Sequence, residues 1–154
     1  MTEVSPNNPA PAQPILVTFM GVAHPWMCDA MGHLNVRHYA AMFDDASFQL
    51  LSRIADPTAP GTEANLGWAD VRMEIDFKHE IPAGTPLTIV SAVEKIGNSS
   101  VTYLHTMSNS LTGQVHAQAR IVTLRFDLQK RAKMSLDVQA HARAQFLMIS
   151  SLES

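Results

Sequence analysis

WMCDAMGHLNVRHYAAMFDDASFQLLSRI, residues 26–54, joins a short loop carrying a carboxylate to a helix too apolar on one side to stand alone. From Tyr39 onward the apolar side chains fall at Tyr39, Met42, Phe43, Ala46, Leu50 and Ile54. A three-to-four residue spacing paints one stripe of a helix, so this segment is predicted to be buried along that stripe at the centre of the domain. Asn35 stands just ahead of the run, where its side-chain oxygen can cap the free N–H groups of the first turn. Asp56-Pro57 ends it, because the residue before proline is pushed out of helical geometry.

Outward from the helix, the downstream chain carries the sheet. Val71, Met73, Ile75 and Phe77 alternate with Asp70, Arg72, Glu74, Asp76 and Lys78, the pattern of a strand with one face in the core. Ile81-Pro82-Ala83-Gly84 turns the chain into a strand over 87–96. Gly97-Asn98 leads tightly into a strand over 101–109, and Thr112-Gly113 into one over 114–126. Long runs joined by short glycine-containing turns predict an antiparallel meander. Pro57, Pro60 and Gly61 mark a loop through Asn65. Upstream, residues 15–22 predict a first strand, and 23–28 the loop leading to the helix. Residues 135–151 predict a closing helix capped by Ser135, with Leu136, Ala140, Ala144, Leu147 and Ile149 as its apolar side. A strand, a long helix and then antiparallel strands give an α+β class, the helix segregated to one face of the sheet.

The 154 residues suffice for one sizeable core. Residues 1–14, with Pro6, Pro9, Pro11 and Pro14 among Asn, Ser and Ala, read as a disordered leader before a single domain over 15–154. That leader has neither the basic start nor the apolar core of a secretory signal, and no run approaches the roughly 20 apolar residues of a membrane span. With a single cysteine, Cys28, which rules out an intrachain disulfide, the expected compartment is the cytoplasm. The net charge of −3 and the lack of a long Lys/Arg run exclude nucleic acid as a partner. Charged residues are only 16% of the chain, which predicts apolar surface hidden in an oligomer. The seven histidines lack metal-ligand spacing; His33 and His38, five apart, straddle the helix start, so neither a metal nor a cofactor is expected.

Chemistry is expected ahead of the helix. Asp29 precedes Asn35 by six residues, and Gly32 between them permits a turn that other residues resist. Folded back, Asp29 faces the positive end of the helix, where free N–H groups stabilise negative charge, including that of a carbonyl oxygen under attack. A carboxylate facing an oxyanion site is a minimal kit for acyl transfer. The alternative from composition is an aspartate that only shapes a turn, with His33 a partly buried histidine. Cys28 has no histidine at a nucleophile-pair spacing and reads as a small hydrophobe.

The segment D-A-M-G-H-L-N-V-R-H-Y followed by F-D-D-A-S resembles the hotdog-fold acyl-CoA thioesterases of the 4-hydroxybenzoyl-CoA thioesterase type, with Asp29, Gly32, Tyr39 and Asp45-Ala46 at the matching positions. The resemblance implies a hotdog fold, a long central helix wrapped by an antiparallel β-sheet. It implies hydrolysis of an acyl-CoA thioester, with Asp29 as nucleophile or general base and the backbone N–H of Val36 polarising the carbonyl. It also implies a homodimer or homotetramer, with the sites where two sheets join. The chain is similar, too, to plant acyl-ACP thioesterases carrying D-x-N-x-H-V-N, with His33 and Asn35 matching the His and the last Asn. By the same likeness Gly67 and Trp68 flank the thioester. Arg131, with Arg125, Lys130 and Lys133, forms the nearest approach to a basic patch for the CoA phosphates. The rivals are a hotdog enoyl-CoA hydratase and a non-catalytic acyl-CoA-binding module. The hydratases' D-x-N-P-x-H pattern is not met: His33 follows Asp29 by four residues, and Gly32 stands in place of the proline. Asp44 and Asp45 point about 100° apart on a helix and read as solvated rather than as a dyad. Tyr103 and His105 share one face of a strand and read as core.

Overall fold

The computed structural model describes residues 15–58 and 65–148. The proline-rich leader, the Pro60-Gly61 loop and Ile149 lie outside them. Strand β1 (Leu16–Val22) leads through a 3-10 turn (Pro25–Met27) to helix α1 (Val36–Ala55). Strands β2 (Leu66–Phe77), β3 (Pro86–Ile96), β4 (Ser100–Asn109) and β5 (Val115–Asp127) follow, then a short β6 (Ala132–Lys133) and helix α2 (Val138–Phe146). All five long strands join one antiparallel sheet in the order β1-β3-β4-β5-β2, and β6 pairs with β5. The sheet carries α1 on one face, which is the hotdog fold.

Helix α1 forms as its spacing dictates. Asn35 Oδ1 accepts from the Arg37 N–H at 3.2 Å, and Asp56 ends the helix in the left-handed region (φ 42°) just before Pro57. Tyr39, Met42, Phe43, Ala46, Leu50 and Ile54 are all buried, joined by Ser47 and Leu51. They pack on the inward row of the sheet: Leu87, Ile89 and Val93 of β3, Val101, Tyr103 and Met107 of β4, and Ala117, Ala119 and Ile121 of β5. Each large side chain fully buried this way is worth about 1.5–3 kcal/mol.

Two expectations change. The closing helix is shorter than its predicted span and is capped by Asp137, whose Oδ1 accepts from Ala140 N at 2.7 Å. Ser135 instead accepts from Asn98 Nδ2 at 3.1 Å, outside the helix. Ala140 and Ala144 face inward as expected, and Arg143 Nε donates to Ile54 O at 2.7 Å, tying α2 to the end of α1.

The alternating row of β2 also departs from its pattern. Val71 and Phe77 are exposed, Met73 lies at the exposed boundary, and Ile75 is half-buried. β2 is an edge strand with no neighbour beyond it among the described residues. A bulge at Val71 also breaks its register against β5, since Asp70 faces Thr123 while Arg72 faces Val122. Trp68 and Asp70 therefore point toward the helix side before the bulge, and Met73, Ile75 and Phe77 after it. Among the described residues no helix is long and apolar enough to cross a membrane.

Candidate functional site

The loop before α1 is a miniature hairpin. Asn35 N donates to Met27 O at 3.0 Å, Asp29 N donates to His33 O at 2.9 Å, and Cys28 bridges Leu34. Gly32, at φ +80°, closes the tip by donating to Asp29 O at 3.0 Å, a conformation costly for any residue with a Cβ. Leu34 N donates to Ile81 O at 2.8 Å, which straps the hairpin to the connection between β2 and β3. Asp29 thus rides on a braced loop. Its Oδ1 accepts from Met31 N at 2.9 Å and more weakly from His33 N at 3.5 Å. Its Oδ2 has no hydrogen-bond partner among the described residues.

The helix start offers the complementary group. Asn35 serves the Arg37 N–H, and His38 N donates to Asn35 O at 2.9 Å. The Val36 N–H is left with no acceptor among the described residues, as expected for the first turn. Asp29, His33, Val36, Tyr39, Phe77 and Glu80 line one cavity of about 290 Å³. Phe77 meets Tyr39 edge to face at 5.0 Å between ring centres. Burial, and secondarily the charge of Glu80, pushes the Tyr39 phenol above its ordinary range, keeping it a neutral donor. The His33 ring makes no hydrogen bond to Asp29: Nε2 lies 3.3 Å from Glu80 Oε2, and buried Nδ1 has no partner among the described residues. Its link to Asp29 runs through the backbone. A carboxylate oxygen free to attack or to take a proton therefore shares a cavity with an unused N–H at a helix's positive end. Among the described residues no cluster of three His, Cys, Asp or Glu could hold a metal.

The structure brings together Asp29, His33, Asn35 and Val36, and it places Gly67, Trp68 and Arg131 elsewhere. Trp68 lies at the opposite end of β2 from Phe77, nine residues or about 30 Å along the strand. Arg131 (φ 54°) sits on the hairpin after β5 with its guanidinium 5.5 Å from the Phe126 ring. The basic patch is corrected at Arg125, which is buried. Alternation along β5 turns it inward with Thr123, and its guanidinium stacks 4.8 Å from the Trp68 ring centre. Lys130 reaches Asp127 at 3.9 Å on the surface.

Two features escaped the linear reading. One is a second cavity of about 350 Å³ between α1 and the start of β2, lined by Asp44, Ser47, Leu51, Trp68, Asp70 and Arg125 among others. The other is a polar chain crossing the core. Ser47 Oγ donates to Phe43 O at 2.9 Å and therefore accepts from Nε2–H of His105 at 3.0 Å. His105 Nδ1, left unprotonated, accepts from Ser91 Oγ at 2.5 Å, and Ser91 Oγ lies 2.6 Å from Thr18 Oγ1. Burial pushes the His105 pKa down to about 4, so the ring is neutral at pH 7. The signal was present: Ser91 and His105 occupy inward positions of β3 and β4, and Ser47 interrupts the apolar stripe of α1.

With this geometry in view, the comparisons with known proteins converge. The pattern of the thioesterase-like superfamily matches residues 23–146. A protein of Pseudomonas putida KT2440 assigned as a thioesterase superposes with a TM-score of 0.77 at 20% identity, covering 93% of this chain and 92% of that one. A 1,4-dihydroxy-2-naphthoyl-CoA thioesterase from Synechocystis gives 0.68 at 16% identity, over 84% and 95%. A Staphylococcus aureus protein in complex with CoA gives 0.76 at 8% identity, over 94% of each chain. At these identities the superpositions speak for the fold. No curated protein matches by sequence.

Proposed function

The chain belongs to the thioesterase-like superfamily, and from that premise we propose that it hydrolyses an acyl-CoA thioester to a free acid and CoA at the cavity before α1. The observation that carries this reading is the pairing of Asp29, with one carboxylate oxygen uncommitted, and the unused Val36 N–H on the walls of one cavity. The thioester carbonyl oxygen takes the Val36 N–H at about 3 Å, where the developing negative charge meets the helix's positive end. Asp29 Oδ2 either attacks the carbonyl carbon, breaking the C–S bond to release CoA as its thiolate and leaving an acyl anhydride that water opens, or takes a proton from a water that attacks the carbon and expels the same thiolate, which is then protonated to CoA. Asn35 fixes the first turn, and His33 holds Asp29 through its backbone. CoA as the carrier is supported by two structurally similar proteins, one a 1,4-dihydroxy-2-naphthoyl-CoA thioesterase and the other in complex with CoA.

The exposed Val71, Met73 and Phe77 on the free edge of β2 support a homodimer, or a pair of dimers, closing over this edge. In such a pair Gly67, Trp68 and Arg131 of one copy come within reach of its partner's thioester. No cofactor enters the mechanism, and the protein works in the cytoplasm.

The test is thiol release over a panel of acyl-CoA esters, with Asp29→Ala and Asp29→Asn beside the wild type. Both variants lose roughly 10²–10⁴-fold in turnover, the usual worth of a positioned acid–base group. Wild-type turnover in Asp29→Ala overturns the assignment. Water addition to an enoyl-CoA without thiol release replaces hydrolase by hydratase, and binding with no turnover replaces it by a sensor.

A further inference from the structure

The proposed function leaves the second cavity unused, and one wall of it holds a buried cation with no counter-charge in contact. Trp68 and Arg125 stand directly opposite each other in the pairing of β2 with β5. Both side chains therefore project onto the helix side of the sheet, where they line the cavity of about 350 Å³. Arg125 is only 6% exposed, so its guanidinium is largely withdrawn from water. A buried ion is costly unless it is paired and hydrogen-bonded, and a guanidinium cannot shed its proton to escape that cost.

Its pairing within the protein is incomplete. The guanidinium carbon lies 4.8 Å from the Trp68 ring centre, a cation–π contact, and Nη1 donates to Gly67 O at a long 3.4 Å. Nε and Nη2 have no hydrogen-bond partner among the described residues, yet neither is sealed inside the protein as the Tyr103 hydroxyl is. In a residue that lines a cavity, donors both unpaired and unsealed open onto that cavity. No carboxylate forms an ion pair with Arg125 among the described residues. Burial works against its charge, and the one carboxylate that offsets this is Asp137, whose Oδ1 is spent on Ala140 N. Asp44 and Asp70 stand exposed on the cavity's rim, outside ion-pair distance of Arg125. Phe48, Leu51, Ala55 and Leu66 make much of the remaining wall apolar.

We propose that this cavity binds a small organic carboxylate, whose acid group takes the free N–H groups of Arg125 while a compact apolar body lies against Trp68, Phe48, Leu51 and Leu66. The planar guanidinium presents parallel N–H groups that match the two oxygens of a carboxylate. Stacking on Trp68 fixes the plane of that fork before the ligand arrives, which lowers the ordering cost of binding. The volume is at the low end of the roughly 300–1,000 Å³ of small-molecule sites and suits one or two rings rather than a long chain. A neutral amide of the same shape fits the apolar wall but leaves the guanidinium without a counter-charge. The site lies beside the middle and end of α1, whereas Asp29 and Val36 line the cavity at its start, so the proposal stands whether or not a thioester is cleaved there.

The test titrates the full chain with cyclohexanecarboxylate and with cyclohexanecarboxamide, neither of which absorbs with indole. Trp68 fluorescence is followed in a Trp26→Phe background, so that a single indole reports. The acid binds about tenfold or more tighter than the amide, the usual worth of a hydrogen bond to a charged group. Arg125→Gln brings the two ligands to within about twofold of each other. Ser52→Phe, at an exposed position on the rim, plugs the cavity with Arg125 in place and weakens the acid by about the same tenfold. That second variant decides the matter if circular dichroism shows Arg125→Gln unfolded. Equal affinity of the wild type for acid and amide overturns the proposal, as does saturation by neither. So does a preference for the acid that survives in folded Arg125→Gln or in Ser52→Phe.

Discussion

Lowering the pH acts on one group whose cost can be worked out in advance. His105 lies at the middle of the buried chain from Thr18 to Phe43, stacked on the Phe43 ring at 5.9 Å between centres and fully shielded from water. Unfolded, its ring takes a proton near pH 6.5; folded, burial lowers that to about 4. Below pH 6.5 the unfolded chain binds a proton that the folded chain refuses, so acid favours unfolding. The associated stability is complete above pH 6.5 and is lost as the pH falls to about 4. At about 1.4 kcal/mol for each pH step, the loss totals roughly 3 kcal/mol. That is a large fraction of the 5–15 kcal/mol typical of a domain. Urea unfolding followed by circular dichroism at intervals from pH 7 to pH 4 measures it, with His105→Leu as the control. The variant is less stable at pH 7, because it breaks the polar chain, but it lacks this titration. The gap between the two proteins should narrow by roughly 3 kcal/mol on acidification. A gap that stays constant between pH 6.5 and pH 4 refutes the reasoning, since the slope then belongs to other groups.

Further outcomes are expected. Asn35→Ala removes the cap that accepts from Arg37 N, costing about 0.5–2 kcal/mol in thermal or chemical unfolding, whereas Asn35→Asp retains most of it. Gly32→Ala meets open space but must hold φ +80°, so it loses about 1–2 kcal/mol and lowers kcat by shifting Asp29, with little change in far-UV dichroism. Phe43→Ala, in the middle of the helix–sheet contact, loses about 3–5 kcal/mol by denaturant midpoint. Val71→Lys together with Met73→Lys places charges on exposed apolar positions of β2; if the proposed dimer closes over this edge, sedimentation shows the wild type self-associated and the double variant monomeric, and equal sedimentation of the two refutes that interface.

The helix and the meander were legible because each rests on a local rule. The period of α1 holds from Tyr39 to Ile54, its caps are adjacent residues, and β3, β4 and β5 are long runs that alternate over most of their length between short turns. The Asp29 loop was legible through Gly32, whose positive φ permits the hairpin. What stayed hidden depends on neighbours distant in sequence. An edge position cannot be read from β2 alone, since Val71 and Phe77 look like core until the sheet order leaves them outermost. Arg125 looked like part of a surface patch because it is close in sequence to Lys130 and Lys133, but strand alternation sends it inward, onto Trp68. Ser135 and Asp137 compete for the start of α2, and only Asp137 is placed to reach Ala140 N. The polar chain needs four separate elements to meet, which no window of sequence contains.

The bulge at Val71 has a consequence for solubility. An unpaired, partly apolar edge strand is a template on which further copies can add without limit, the route to fibrils. Here the extra residue puts the two halves of β2 out of phase, and Asp70, Arg72, Glu74 and Asp76 thread charge along it. A flat, continuous annealing of strand upon strand is thereby denied. Only a copy arriving in a matching, kinked register could seat itself, so the same irregularity that disrupts the sequence pattern works against open-ended stacking along this edge.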